Sequence, residues 1–113
     1  MIKTLKLVIT DHWFEEIKSG RKTHEYRKVS KYWLSRLGLL PAQFFDYVDV
    51  KDVTRIGNEY ILRFKLVEFK KAYHKNPERI TFEIKKVVVR DGKDTDLHIE
   101  GNVFDIELGE RIK

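Results

Sequence analysis

Ser19-Gly20-Arg21-Lys22-Thr23-His24-Glu25-Tyr26-Arg27-Lys28 is the run around which the rest of this chain organises itself. Arg21, Lys22, Arg27 and Lys28 crowd around the single carboxylate of Glu25. Gly20 closes the helical pattern that precedes it, because a residue without Cβ takes the left-handed conformation that ends a helix at little cost. Thr23 to Lys28 then reads as a strand. Side chains alternate along a strand, so Glu25 and Arg27 share one face with roughly 7 Å between their Cα atoms, and His24, Tyr26 and Lys28 take the other. Lys22 has the wrong parity for a regular strand. It reaches Glu25 and Arg27 only from the turn or through a bulge. A carboxylate between a Lys and an Arg holds both cations in place and aims them at a phosphate or a polar base edge. The run therefore reads as the wall of a ligand cleft.

The segments on either side supply elements to carry that wall. Upstream, Leu5, Leu7 and Ile9 alternate within Lys3 to Ile9, a half-buried opening strand. Asp11 suits the N-cap of a short helix in which Phe14, Ile17 and Trp13 form a small apolar face, and the helix is expected to lie across an open end of the sheet. Downstream, Ser30 can cap a second helix over Lys31 to Leu37, closed by Gly38 and Pro41. Its stripe is Trp33, Leu34 and Leu37, with Tyr32 and Arg36 off it. Either one of Tyr32 and Trp33 stacks on a base in the cleft, or both are ordinary core and surface residues.

Strand patterns occupy most of the remainder. They cover Phe44 to Val50 and Tyr60 to Phe69, joined by a polar turn at Gly57-Asn58, then Ile80 to Val89 and Val103 to Leu108. Lys70 to Pro77 reads as a basic and aromatic loop, since Asn76 and Pro77 interrupt the alternation. Arg90 to Glu100, with Asp91-Gly92, reads as a turn or mobile loop. The fold expected is α+β: a small, mostly antiparallel β-barrel with two short helices in the N-terminal half, built as a single domain over residues 1–113.

The spacing Gly20-x-Lys22-x-x-Glu25-x-Arg27 resembles the G-x-K-x-x-E-x-R signature of the ASCH domain family, relatives of the PUA RNA-binding fold. The helix Trp13-Phe14-Glu15-Glu16-Ile17-Lys18 before the motif and the closing Leu108-Gly109-Glu110-Arg111-Ile112 are also similar to that family, and the resemblance covers nearly the whole chain. It implies a PUA-like barrel and an RNA or nucleotide-like ligand. In that reading Lys22 and Arg27 contact phosphate or base acceptors, Glu25 positions them, and Tyr26, Trp33 or Tyr73 offers a stacking face. It further implies that Tyr73 and Lys75 belong to a loop beside the cleft; a solvated basic loop is the alternative. One branch of the family hydrolyses N4-acetylcytidine with a Lys, a Thr and a Glu. Lys22 matches the lysine, but Glu25 stands at the threonine position and Thr23 is out of register, and a carboxylate is a weak acyl nucleophile. Lys22, Thr23 and Glu25 are the catalytic set if the chain is such an amidohydrolase. A third possibility is that Glu25 and Arg27 form a purely structural ion pair.

Composition bounds these readings. At 113 residues, 42% hydrophobic and 12% aromatic, the chain has material for one core. Its net charge of +5 favours anionic partners. No apolar run approaches the roughly 20 residues that cross a bilayer, and the start lacks a signal-peptide h-region, so a cytoplasmic protein without membrane contact is expected. The absence of cysteine excludes thiolate chemistry. His12, His24, His74 and His98 form no paired ligand spacing, so no metal site is expected. Scattered glycines make no phosphate loop, and Ser19, Ser30 and Ser35 lack a nucleophile elbow, so no cofactor is expected either.

Overall fold

The structure is a computed structural model and describes residues 3–37 and 64–113. Its elements are β1 (Lys3–Ile9), α1 (Asp11–Lys18), β2 (His24–Lys28), α2 (Lys31–Arg36), β3 (Phe64–Lys71), β4 (Arg79–Asp91) and β5 (Asn102–Arg111), with a 3-10 turn at Gly92–Asp94. The strands form one sheet in the order β1-β3-β4-β5-β2. β1 pairs with β3 in parallel, and the other three pairings are antiparallel.

One face of that sheet is apolar because the alternating residues of every central strand agree on it. Leu5, Leu7 and Ile9 of β1 meet Val67 and Phe69 of β3, then Ile80, Phe82, Ile84 and Val87 of β4, then Phe104, Ile106 and Leu108 of β5, all in one buried cluster. Phe14 and Ile17 of α1, and Leu34 with the adjoining Leu37 from α2, close over the same face. β4 carries register shifts around Ile84 to Lys86, and such irregularities sharpen local bend and twist. The sheet curls as a result: β1 and β2, its two edge strands, both line one hollow. Among the described residues the strands make a curled mixed sheet, a half-barrel, and the order ends at two edges.

Local expectations are refined in several places. β3 runs on through Lys70 and Lys71, which the sequence assigns to a loop, because parallel pairing of Val8 with Lys70 and Ile9 with Lys71 continues the ladder. Asp11 is the first residue of α1 and not its cap; Thr10 holds the cap position without a side-chain bond, and the Asp11 carboxylate lies 2.7 Å from His74 Nε2. Ser30 does cap α2, its Oγ accepting from Trp33 N at 3.2 Å. β2 begins at His24, one residue later than expected, while Thr23 contributes its carbonyl to Leu108 N at 2.9 Å. The Arg90 to Glu100 region holds the end of β4 and the 3-10 turn, with Thr95 buried. The expected strand at Phe44 to Val50, the turn at Gly57-Asn58, the start of the strand at Tyr60, and Gly38 and Pro41 lie outside the described residues. No helix of the described residues is long and apolar enough to cross a membrane.

Phe14 is fully buried and fastens α1 to the concave face. Replacing it by Ala is expected to cost about 3–5 kcal/mol, the range for emptying a buried aromatic position, measured as a lowered urea midpoint. An unchanged midpoint means that α1 is not part of the cooperative core.

Candidate functional site

The site is assembled by the end of α1 and the strand that follows. Gly20, at φ +85°, turns the chain out of the helix, and the amide of Lys22 donates back to Glu16 O at 3.0 Å. Lys22 is thereby held in the turn, ahead of β2. From there its Nζ lies 3.3 Å from Glu25 Oε1, and Arg27 Nη1 lies 3.0 Å from Glu25 Oε2. The approach from the turn overcomes the parity that keeps Lys22 off that face in a regular strand. Lys22 Nζ also donates to Asp96 Oδ2 at 2.6 Å. The result is a relay of alternating charge, Asp96–Lys22–Glu25–Arg27.

Burial gives this relay its strength. The Glu25 side chain is only 6% exposed and that of Lys22 11%, whereas Arg27 and Asp96 reach solvent at 21% and 28%. A carboxylate removed from water needs partners on both oxygens, and Glu25 has them: Oε1 also accepts from Tyr26 N at 3.1 Å. Aromatic faces cover the cations. Lys22 Nζ lies 4.2 Å from the Trp13 ring centroid and 5.6 Å from that of Tyr26, and the Arg27 guanidinium lies 5.4 Å from Trp33. Arg27 Nη1 donates to Tyr26 O at 2.9 Å, which fixes its reach.

Two hollows open beside the relay. The larger, about 410 Å³, lies between the sheet edges and is lined by Val8, Ile9 and Thr10 from the end of β1, Glu25 and Arg27 from β2, and Trp13, Lys22, Asp96 and Leu97. The smaller, about 350 Å³, holds Arg21, Thr23, His24 and Tyr26 against Glu16, Asp94 and Thr95, and shares Trp13, Lys22 and Asp96 with its neighbour. The Lys22–Asp96 bridge is therefore common to both walls.

Behind β2 a second cluster stiffens the strand. Asp105, 2% exposed, faces His24 Nδ1 at 2.6 Å and accepts from Arg90 Nε at 2.8 Å. His24 and Tyr26 stack nearly parallel, 6° apart in plane. Burial first, and then the charge of Asp105, hold the Tyr26 phenol above its usual range near 10.0. On the rim, a hydrogen bond from Arg21 keeps the Glu16 carboxyl below the ordinary carboxylate value.

Of the residues picked out by sequence, Lys22, Glu25, Tyr26 and Arg27 come together here. Thr23 is exposed and lines the smaller hollow. Trp33 touches the site only through Arg27 and lines neither hollow. Tyr73 and Lys75 stand apart, on the loop between β3 and β4. Lys22 Nζ, the group that would activate Thr23 in the amidohydrolase reading, donates to Asp96 Oδ2 and pairs with Glu25 Oε1. Trp13 and Asp96 are the members that sequence reading missed. Trp13 carried the spacing of a core-facing helix residue, and nothing local marks Asp96. Among the described residues no three His, Asp or Glu groups gather as a metal site. Comparison of the chain with protein-family models, with curated proteins and with solved structures finds no match.

Two outcomes follow from this geometry. Glu25→Ala leaves two cations facing each other across a buried gap and is expected to cost about 3 kcal/mol, whereas Asp96→Ala, at the more exposed end, costs under about 1 kcal/mol; equal melts for the two variants contradict the relay. For Tyr26 the folded state favours the neutral phenol. Its contribution is therefore constant below pH 10 and stability falls as pH rises above it, with a late phenolate transition in absorbance that Tyr26→Phe removes.

Proposed function

We propose that this chain is an ASCH-type, PUA-like domain that binds a nucleobase of RNA, or of a nucleotide-like ligand, in the hollow between its two sheet edges. The observation that carries the reading is Glu25 holding Lys22 at 3.3 Å and Arg27 at 3.0 Å in the wall of a hollow that Trp13 also lines. About 410 Å³ falls within the roughly 300–1,000 Å³ typical of small-ligand pockets.

Charge decides which part of a nucleotide suits this wall. Lys22 and Arg27 are balanced by Glu25 and Asp96, so the described lining of the larger hollow carries no surplus positive charge for a phosphate. It offers fixed donors beside fixed acceptors. A base edge carries the complementary pattern: a carbonyl or ring nitrogen accepts from Arg27, and an exocyclic amino group donates to a carboxylate, the pairing by which Arg and Glu or Asp read bases in nucleic-acid complexes. The indole of Trp13 supplies the stacking face that single-strand recognition requires. Phosphates then fall outside the hollow.

Calorimetric titration with cytidine and uridine tests this. Binding is expected to change little between low and moderate salt, and Arg27→Ala is expected to weaken it at least about tenfold, the lower part of the range for a good base contact. Absence of nucleoside binding, or an Arg27→Ala variant that binds like the parent, removes the reading. Release of cytidine from N4-acetylcytidine moves Lys22, Thr23 and Glu25 to the amidohydrolase roles instead.

A further inference from the structure

Tyr73 sits on the loop that joins β3 to β4 and is 99% exposed. Its backbone has φ +63°, a conformation shared among non-glycine residues of the described chain only by His98. Histidine tolerates that region better than a bulky aromatic does; for tyrosine it is a genuine outlier. The side chain makes no contact that offsets the strain: no ring stacking, hydrogen bond or ion pair involves Tyr73 among the described residues. Glycine or asparagine suits such a turn better. An aromatic ring that buries nothing, on backbone that penalises it, does nothing for the fold.

The base of the loop is held firmly. Lys71 N donates to Glu78 O at 3.1 Å and Ala72 N to Ile9 O at 2.8 Å. Lys71 Nζ reaches Glu15 at 2.7 Å, and His74 Nε2 lies 2.7 Å from Asp11. Tyr73 is thus presented from an anchored scaffold, which lowers the entropy lost when something binds it. The run Lys70 to Pro77 itself contains no acid, and the two acids of α1 that face it, Asp11 and Glu15, are taken up by His74 and Lys71. Lys70 and Lys75 have no ion-pair partner among the described residues, and the nearest following acid, Glu78, is paired with Lys18 at 2.6 Å.

We propose that this hairpin tip is a stacking site for single-stranded RNA, with Tyr73 receiving a base and Lys70 and Lys75 the neighbouring phosphates. The inference rests on the nucleobase reading of the hollow and extends it, making the ligand a polynucleotide and not a free nucleoside. Placement supports one continuous track. The tip is bonded to Ile9, and Val8, Ile9 and Thr10 line the larger hollow; one chain step of 3.8 Å beyond a bonded strand neighbour puts Tyr73 Cα within about 10 Å of Ile9 Cα. A base needs only one aromatic face and nearby cations. A bilayer needs an apolar surface to bury, and the tip has none besides Tyr73, since Ala72 is already buried.

The test uses the full chain, a fluorescein-labelled oligouridylate of roughly 12 nucleotides read by anisotropy, free uridine read by calorimetry, and phosphatidylserine vesicles read by sedimentation. Tyr73→Gly is expected to weaken oligonucleotide binding between about 5-fold and about 100-fold, leave uridine binding unchanged, and melt no lower than the parent. Tyr73→Phe should retain binding, and Lys70→Ala with Lys75→Ala should flatten its salt dependence. Equal oligonucleotide affinity for Tyr73→Gly and the parent, with uridine still bound, overturns the tip and spares the hollow. Failure of the parent to bind either RNA or uridine overturns both. Vesicle binding lost in Tyr73→Gly without any change toward RNA, or a clearly lowered melt for that variant, also overturns the proposal.

Discussion

The buried carboxylate of Glu25 is the constraint on which the arrangement around the hollow depends. Charge of that kind is costly away from water unless each oxygen is matched. Lys22 and Arg27 match it from opposite sides, and the Tyr26 amide adds a third donor. Each partner then constrains the element that bears it. Lys22 ties the turn after α1 to β2, and through Asp96 it ties the segment between β4 and β5 to the same point. Arg27, fixed by the Tyr26 carbonyl, faces Trp33 and so relates β2 to α2. One acid thereby links both helices, an edge strand and a distant loop.

The charged relay lies where the sheet stops being a sheet. The central strands give one continuous apolar face, and α1 and α2 cover it. At the edges of the described sheet, β1 and β2 approach across a gap lined by charged side chains and Trp13 together with Val8, Ile9 and Leu97. Edge strands expose unpaired backbone and invite unwanted pairing, which natural sheets suppress with charge. Here Lys22, Glu25, Arg27 and Asp96 supply charge at that place and also make the gap chemically specific. Opposite signs held at fixed spacing present donors and acceptors together, a surface better matched to a neutral polar ring than to a bare anion. Net charge alone points toward phosphate; the proposed base site rests instead on the pairing inside the hollow.

Much of this was legible without coordinates, and the reason is locality. Strand parity is a property of adjacent residues, so Glu25 and Arg27 share a face wherever β2 lies. Gly20 stops α1 through its own backbone, and Leu5, Leu7 and Ile9 announce their strand by alternation. Errors arose where a neighbour in space outvoted the local pattern. Lys70 and Lys71 look like loop residues but are carried into β3 by pairing with β1, and Asp11 looks like a cap but its carboxylate goes to His74.

By itself, then, the order of residues determined an α+β chain with a one-faced core, a helix ended at Gly20, and a carboxylate and a guanidinium two positions apart on one side of a strand. Only the tertiary structure decided that Asp96, 74 residues from Lys22, completes the relay, that Trp13 turns its ring to the cation, and that Tyr73 stands outside the hollow on a strained tip. Period and parity are encoded over a few residues. Which loop meets which turn depends on how the whole sheet curls, and that is set by the sum of its packing and not by any short run of sequence.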